Sequence, residues 1–91
     1  MIFFLAAATL AAQAPASTCP TVLTQEAQVC RALEASKAGR FAEAATAFEQ
    51  AADLGQPGDP ARDREFAAAG NMWIAAGQPG RAAVVLDKAL A

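Results

Sequence analysis

The chain holds 91 residues, with 7 Lys and Arg against 9 Asp and Glu for a formal charge of −2, and it carries no His, no Tyr, one Trp and two Cys. That length allows one small domain. The missing His excludes imidazole catalysis and His-ligated metal sites, and the mildly acidic balance supplies no basic field for nucleic acid phosphates.

The N-terminus reads as a processing signal. Residues 2–12, IFFLAAATLAA, are apolar apart from one Thr. Eleven such residues suit the core of a secretory leader and fall short of the ~20 needed to span a bilayer. Ala14 and Ala16 satisfy the small-x-small rule, so cleavage is expected after Ala16, with a cut after Ala12 as second choice. No Lys or Arg precedes the apolar run, which leaves an uncleaved, weakly anchoring helix as the alternative. The leader reading (residues 1–16) makes the protein secreted, into a bacterial periplasm, with no stable membrane span in the mature chain 17–91. A mature chain of that size is near the lower limit for a self-supporting core.

Residues 17–23 form an N-terminal arm before the first helix. Cys19 and Cys30 are the only cysteine pair, and in an exported chain an intrachain disulfide is the default. Geometry sets a condition on it. A single helix running from Pro20 would separate the two Cα atoms by roughly 16 Å, whereas a disulfide tolerates only about 7 Å. The bond therefore requires the helix to start late, near Thr24, with the arm folded back along it. The alternative is two unpaired thiols, with Cys30 a small core residue.

Helical punctuation divides the rest. Ala supplies 27 residues, good helix formers dominate, and no stretch alternates with period 2, so the class is all-α. The first helix begins between Thr21 and Thr24 and stops near Ala38, before Gly39. The second runs from about Ala42 to Leu54, with Gly55 and Pro57 beyond it. Asp59 and Pro60 read as an N-cap and a first-turn proline, opening a third helix that reaches Ala76 before Gly77. The fourth starts at Gly80 or Arg81. Phe41, Ala44, Ala45, Phe48, Ala51 and Ala52 make the apolar face of the second helix. Phe66, Ala69, Gly70 and Trp73 make that of the third, and Ala82, Ala83, Leu86, Ala89 and Leu90 that of the fourth. Such short connections force antiparallel neighbours.

The strongest signal is an internal repeat. Gly39 aligns with Gly77, Ala44 with Ala82, Phe48 with Leu86 and Ala51 with Ala89, a period of 38 residues. This pattern resembles the tetratricopeptide repeat, whose unit is about 34 residues of helix–turn–helix. The resemblance covers residues 21–91 as two units, 24–55 and 56–91, and implies a right-handed α-α solenoid. Gly70 and Trp73 stand where the family expects a Gly and an aromatic; the first unit has Ala32 and Ala35 there instead.

The resemblance also implies that the first helix of each unit lines a concave face. Carried over by alignment, that lining is Glu26, Val29, Leu33, Ser36 and Lys37, then Arg64, Ala67, Asn71, Ile74 and Ala75. Some family members grip a partner's C-terminal carboxylate with Lys and Asn on this face. Asn71 matches one such Asn, but Val29 and Ala67 occupy the places of the expected Lys. The apolar Val29, Leu33 and Ile74 fit a hydrophobic or amphipathic peptide better; ordinary packing between units explains those three equally well.

Other chemistry finds little purchase. Asp53, Asp59 and Asp63 straddle the Gly/Pro connection without a calcium-loop register, and Asp59 and Asp63 have sufficient helical reasons. No nucleophile–base pair is apparent. The expectation is a non-enzymatic chain with no metal and no cofactor. Repeat units cannot bury their faces alone, and Val84, Val85, Leu86 and Leu90 leave an apolar edge on the last helix. A second copy, another protein or further repeats would cover it. Two functions fit: a periplasmic scaffold or binding module for a protein or peptide, or a self-associating structural protein with no groove ligand.

Overall fold

The computed structural model describes residues 17–91; the expected leader, residues 1–16, lies outside the described residues. Four helices follow one another: α1 (Gln25–Lys37), α2 (Phe41–Asp53), α3 (Pro60–Ala75) and α4 (Pro79–Leu90). No strand occurs among the described residues, and no described helix is long and apolar enough to cross a membrane.

Local chemistry sets the helix ends. Thr24 is extended, and its hydroxyl oxygen accepts the Ala27 N–H at 3.2 Å, opening α1. Asp59 does the same for α3, accepting the Ala61 N–H at 3.0 Å with Pro60 in the first turn. Each cap satisfies a donor that the first helical turn leaves open. Gly39 and Gly77 take φ of 77° and 75°, a left-handed conformation that costs other residues a Cβ clash. In the first turn the Gly39 N–H donates to the Ser36 carbonyl and the Arg40 N–H to that of Ala35. In the second, Gly77 donates to Ile74 and Gln78 to Trp73. The two Schellman-type closures are thus superposed bond for bond at the 38-residue period. The connection between hairpins, residues 54–59, is longer and turns at Gly58, φ 86°.

Each helix packs against its chain neighbours, α1 on α2, α2 on α3 and α3 on α4, and α4 does not close back on α1. The helices therefore form an open row rather than a closed bundle. Gln25 at the start of α1 donates through Nε2 to both oxygens of Glu65 in α3, at 2.9 and 2.7 Å, so the N-terminal ends of α1 and α3 lie side by side.

The core is built from small residues and four large ones. Ala32, Ala45, Ala52, Ala69 and Ala82 let the axes approach, while Phe48, Phe66, Trp73 and Val85 fill the space between hairpins. Burial of a side chain such as Phe66 contributes on the order of 2–3 kcal/mol. Gly70 lets α4 approach α3 closely: a Cβ there would sit 2.6 Å from two Leu86 carbons.

The apolar face of α4 differs from the one read from spacing. Ala82 and Val85 are buried and Leu86 and Ala89 half-buried, whereas Ala83 and Leu90 are exposed. Val85 and Leu86 accordingly do not belong to a free edge. Val84-Val85-Leu86 is a contiguous apolar run, and α2 and α3 together select which side of it faces inward.

The arm lies along α1. Cys19 and Cys30 are joined, with their Cα atoms 5.7 Å apart, and α1 begins only at Gln25. The Ser17 hydroxyl donates to Glu34 Oε1 at 2.6 Å, and the Thr18 N–H donates to Oε2 at 3.0 Å. The Arg31 guanidinium holds the Pro20 and Val22 carbonyls.

Candidate functional site

Three surfaces can be built from these elements: an outer face of α1 and α3 and the two end faces of the row. On the outer face, Glu26, Leu33 and Lys37 are exposed on one stripe of α1, three to four residues apart or a multiple of that. Arg64, Asn71 and Ile74 are exposed on α3. Val29 is the exception. It is half-buried and packs against the core, so it joins the hairpins rather than facing a partner. Leu33 and Ile74 keep 49% and 55% of their surface in water, although apolar neighbours on each helix are fully covered. No described hydrogen bond or ion pair ties the exposed members of the two stripes to each other; the cross-link between α1 and α3 is Gln25–Glu65.

The N-terminal end face is a groove of mainly apolar surface into which several polar side chains reach. Two adjoining hollows of about 330 and 300 Å³ share Gln28 and Gln50. Arg31, Glu43, Thr46 and Ala47 line the first; Leu23, Asp53 and Leu54 line the second. In the repeat register Gln28, Arg31, Ala47 and Gln50 correspond to Phe66, Ala69, Val85 and Lys88 of the second hairpin. There the equivalent face is filled: Phe66, Ala69 and Val85 are all buried among the residues of α2. The first hairpin thus carries polar side chains at the positions by which the second one docks.

At the junction of the hairpins, Trp73 is buried and its Nε1–H donates to Glu49 Oε2 at 2.6 Å. The Arg81 guanidinium lies over the same ring, 4.8 Å from its centroid, and Val84 and Val85 complete a hollow of about 180 Å³ beside it. Phe66 is flanked in a similar way by Arg62 at 4.8 Å and Lys88 at 5.5 Å. Cations over ring faces of this kind contribute ~0.5–1 kcal/mol where exposed. The indole and its carboxylate come from different hairpins, so this bond fixes their register.

Two carboxylates are perturbed, for opposite reasons. Burial pushes the Glu65 carboxyl above its ordinary value, only partly opposed by the Gln25 hydrogen bonds, and Asp59 raises it further. Glu34 is held below the usual value, first by the Ser17 hydroxyl and then by the Thr18 N–H. Asp53, Asp59 and Asp63 do not gather, and among the described residues no group of three or more His, Cys, Asp or Glu side chains could hold a metal ion.

The end-face residues Val84 and Leu90 are exposed and remain on the surface of α4, while Val85 and Leu86 are turned inward. Sequence reading missed the Gln28–Gln50 groove and the Glu49–Trp73–Arg81 junction. The signal was present in the 38-residue register, which pairs Glu49 with Asp87 and Gln28 with Phe66.

Comparison of the chain with protein-family models, with curated proteins and with solved structures finds no match in any of the three.

Proposed function

We propose that the chain is a non-enzymatic protein-interaction module of the cell envelope, built as two tetratricopeptide-like hairpins in a right-handed solenoid. A partner protein or peptide lies on the outer face of α1 and α3. The observation that carries this reading is the half-exposed pair Leu33 and Ile74, each set among charged or polar neighbours: Glu26 and Lys37 on α1, Arg64 and Asn71 on α3. Two apolar anchors within a polar rim are the composition of a surface that binds an amphipathic segment. The 38-residue register of the turns and the consecutive packing of the helices support the repeat assignment.

The test is site-directed photo-crosslinking in the living cell. A photoreactive residue at position 33 or 74 should trap one discrete partner, and position 50 in the end-face groove should not. Leu33→Asp should abolish the adduct formed from position 74. Equal, diffuse labelling from all three positions would refute the reading. An adduct of twice the chain's own mass would instead support the self-associating structural alternative, which the exposed Val84 and Leu90 favour.

A further inference from the structure

Two polar side chains are buried among the described residues, Glu65 and Gln28. Glu65 has its partner, because the Gln25 amide donates to both its oxygens. Gln28 is 6% exposed, and its carboxamide forms no hydrogen bond to a described residue. No polar side-chain atom among those residues is both sealed from solvent and unpaired. The Gln28 amide group therefore meets the space of the two hollows it lines. Burying an amide without a partner costs free energy, and the second hairpin avoids that cost by placing Phe66 at the equivalent position.

Across the groove stands Gln50 of α2, exposed and lining the same two hollows. The walls are α1, α2 and the end of the arm, which the Cys19–Cys30 bond ties to α1. Two carboxamides on one groove offer donors and acceptors together, and a peptide unit returns one of each. Most of the nearby charge is already used. Glu43 pairs with Arg40 at 2.7 Å, and the Arg31 guanidinium holds the arm carbonyls. Asp53 has no ion pair among the described residues, and it shares the second hollow with the exposed Leu23 and Leu54.

We propose that this groove binds a free oligopeptide by its N-terminal end. The ammonium group pairs with Asp53, an aliphatic first side chain lies on Leu23 and Leu54, and the first peptide unit bridges Gln28 and Gln50. The rest of the ligand runs through the first hollow, past Ala47 and Thr46. Hollows of about 330 and 300 Å³ are the size of small-ligand sites. A ligand this small leaves no protein adduct at position 50. The groove is separate from the outer face of α1 and α3 and stands whether or not that face binds a protein.

The probe is the tripeptide Leu-Ala-Ala with free termini, titrated into the nitrogen-15-labelled protein and followed by NMR. Saturable shifts are expected in the side-chain amide signals of Gln28 and Gln50 and in the backbone N–H signals of Leu23 and Leu54. Gln50→Ala removes two hydrogen bonds and should weaken binding roughly tenfold. Acetylating the peptide, which mimics the same sequence inside a protein chain, should weaken it by about threefold to fivefold, the worth of an exposed ion pair. Asp53→Asn should lower the affinity of the free peptide to that of the acetylated one. Gln50 and Asp53 are both exposed, so neither variant disturbs the core, and the unchanged spectrum of the other residues checks this. The inference is overturned if no shift saturates, if the saturating shifts lie outside the groove, or if either Gln50→Ala or acetylation leaves the affinity unchanged.

Discussion

Gly70→Ala probes a close approach between α3 and α4. Alanine in a helix interior is intrinsically better than glycine by about 1 kcal/mol, so on local grounds the change is stabilising. The packing says otherwise. The added Cβ would lie 2.6 Å from both Cγ and Cδ2 of Leu86 and 3.3 Å from Cδ1, against an optimal carbon separation of about 3.5–4.0 Å. Turning the end of the leucine does not relieve a contact to Cγ. Either χ1 changes or α4 moves, and α4 is held by the buried Ala82 and Val85. Overpacking of this kind costs roughly 1–3 kcal/mol, so the net effect is a destabilisation of about 1 kcal/mol. For a domain this small that lowers Tm by about 4–8 °C. Urea unfolding of four proteins reads it out: wild type, Gly70→Ala, Leu86→Ala and the double variant. With Leu86 truncated the clash is gone, and Gly70→Ala should then stabilise by up to about 1 kcal/mol. The sign change corresponds to a coupling of about 2 kcal/mol, within the range for residues in contact. If Gly70→Ala stabilises equally in both backgrounds, α3 and α4 do not approach as described and the reasoning fails.

Glu65→Gln tests the buried carboxylate. Because the folded chain raises the Glu65 carboxyl above its ordinary 4.5, it binds a proton more tightly than the unfolded chain does. That contribution to stability is complete at pH below the unfolded value and is lost as pH rises through the folded one. The variant should therefore be at least as stable as wild type at neutral pH, with a flatter pH profile above 4.5; a steep loss of stability in the variant at neutral pH would contradict the assignment. Cys19→Ala/Cys30→Ala opens a loop with a sequence separation of 11 and should cost up to about 3 kcal/mol. Hydrogen exchange should rise in α1 and the arm, with α3 and α4 little changed, since no described arm bond reaches them; uniform acceleration would refute a local role.

The helix boundaries were legible because each is written in residues with one conformational meaning. Gly39 and Gly77 take left-handed φ, and Asp59-Pro60 starts α3. The faces of α2 and α3 were legible too, because Phe48 and Phe66 are each the only large apolar residue on their turn and Trp73 follows Phe66 at i+7 on the same stripe. The face of α4 was not. Val84, Val85 and Leu86 are adjacent and similar, so periodicity admits two phases about one residue apart, and only the position of α2 and α3 selects Val85. The arm contacts were illegible for another reason. Glu34 and Arg31 look like ordinary solvated helix residues, and their partners are a hydroxyl, a backbone N–H and two carbonyls whose placement depends on the disulfide. Within the outer face, Leu33 and Ile74 could be named from alignment, but Val29 could not be separated from them. Its burial is decided by the neighbouring hairpin.

The two ends of the row are chemically unlike, although one repeat register generates both. At the first end the docking positions carry Gln28 and Arg31, the arm is fastened beside them by Cys19–Cys30, and Arg31 itself holds the arm backbone. The Arg31 guanidinium loses its carbonyl partners if a helix displaces the arm. At the other end Ala83 and Leu90 are exposed, whereas their equivalents Ala45 and Ala52 are buried in the core. Exposing a leucine singly means little. Leu90 stands exposed where the equivalent Ala52 is wholly buried, and Gln28 stands where Phe66 does, so a shared backbone period sets where the helices turn while the side chains decide which faces pack.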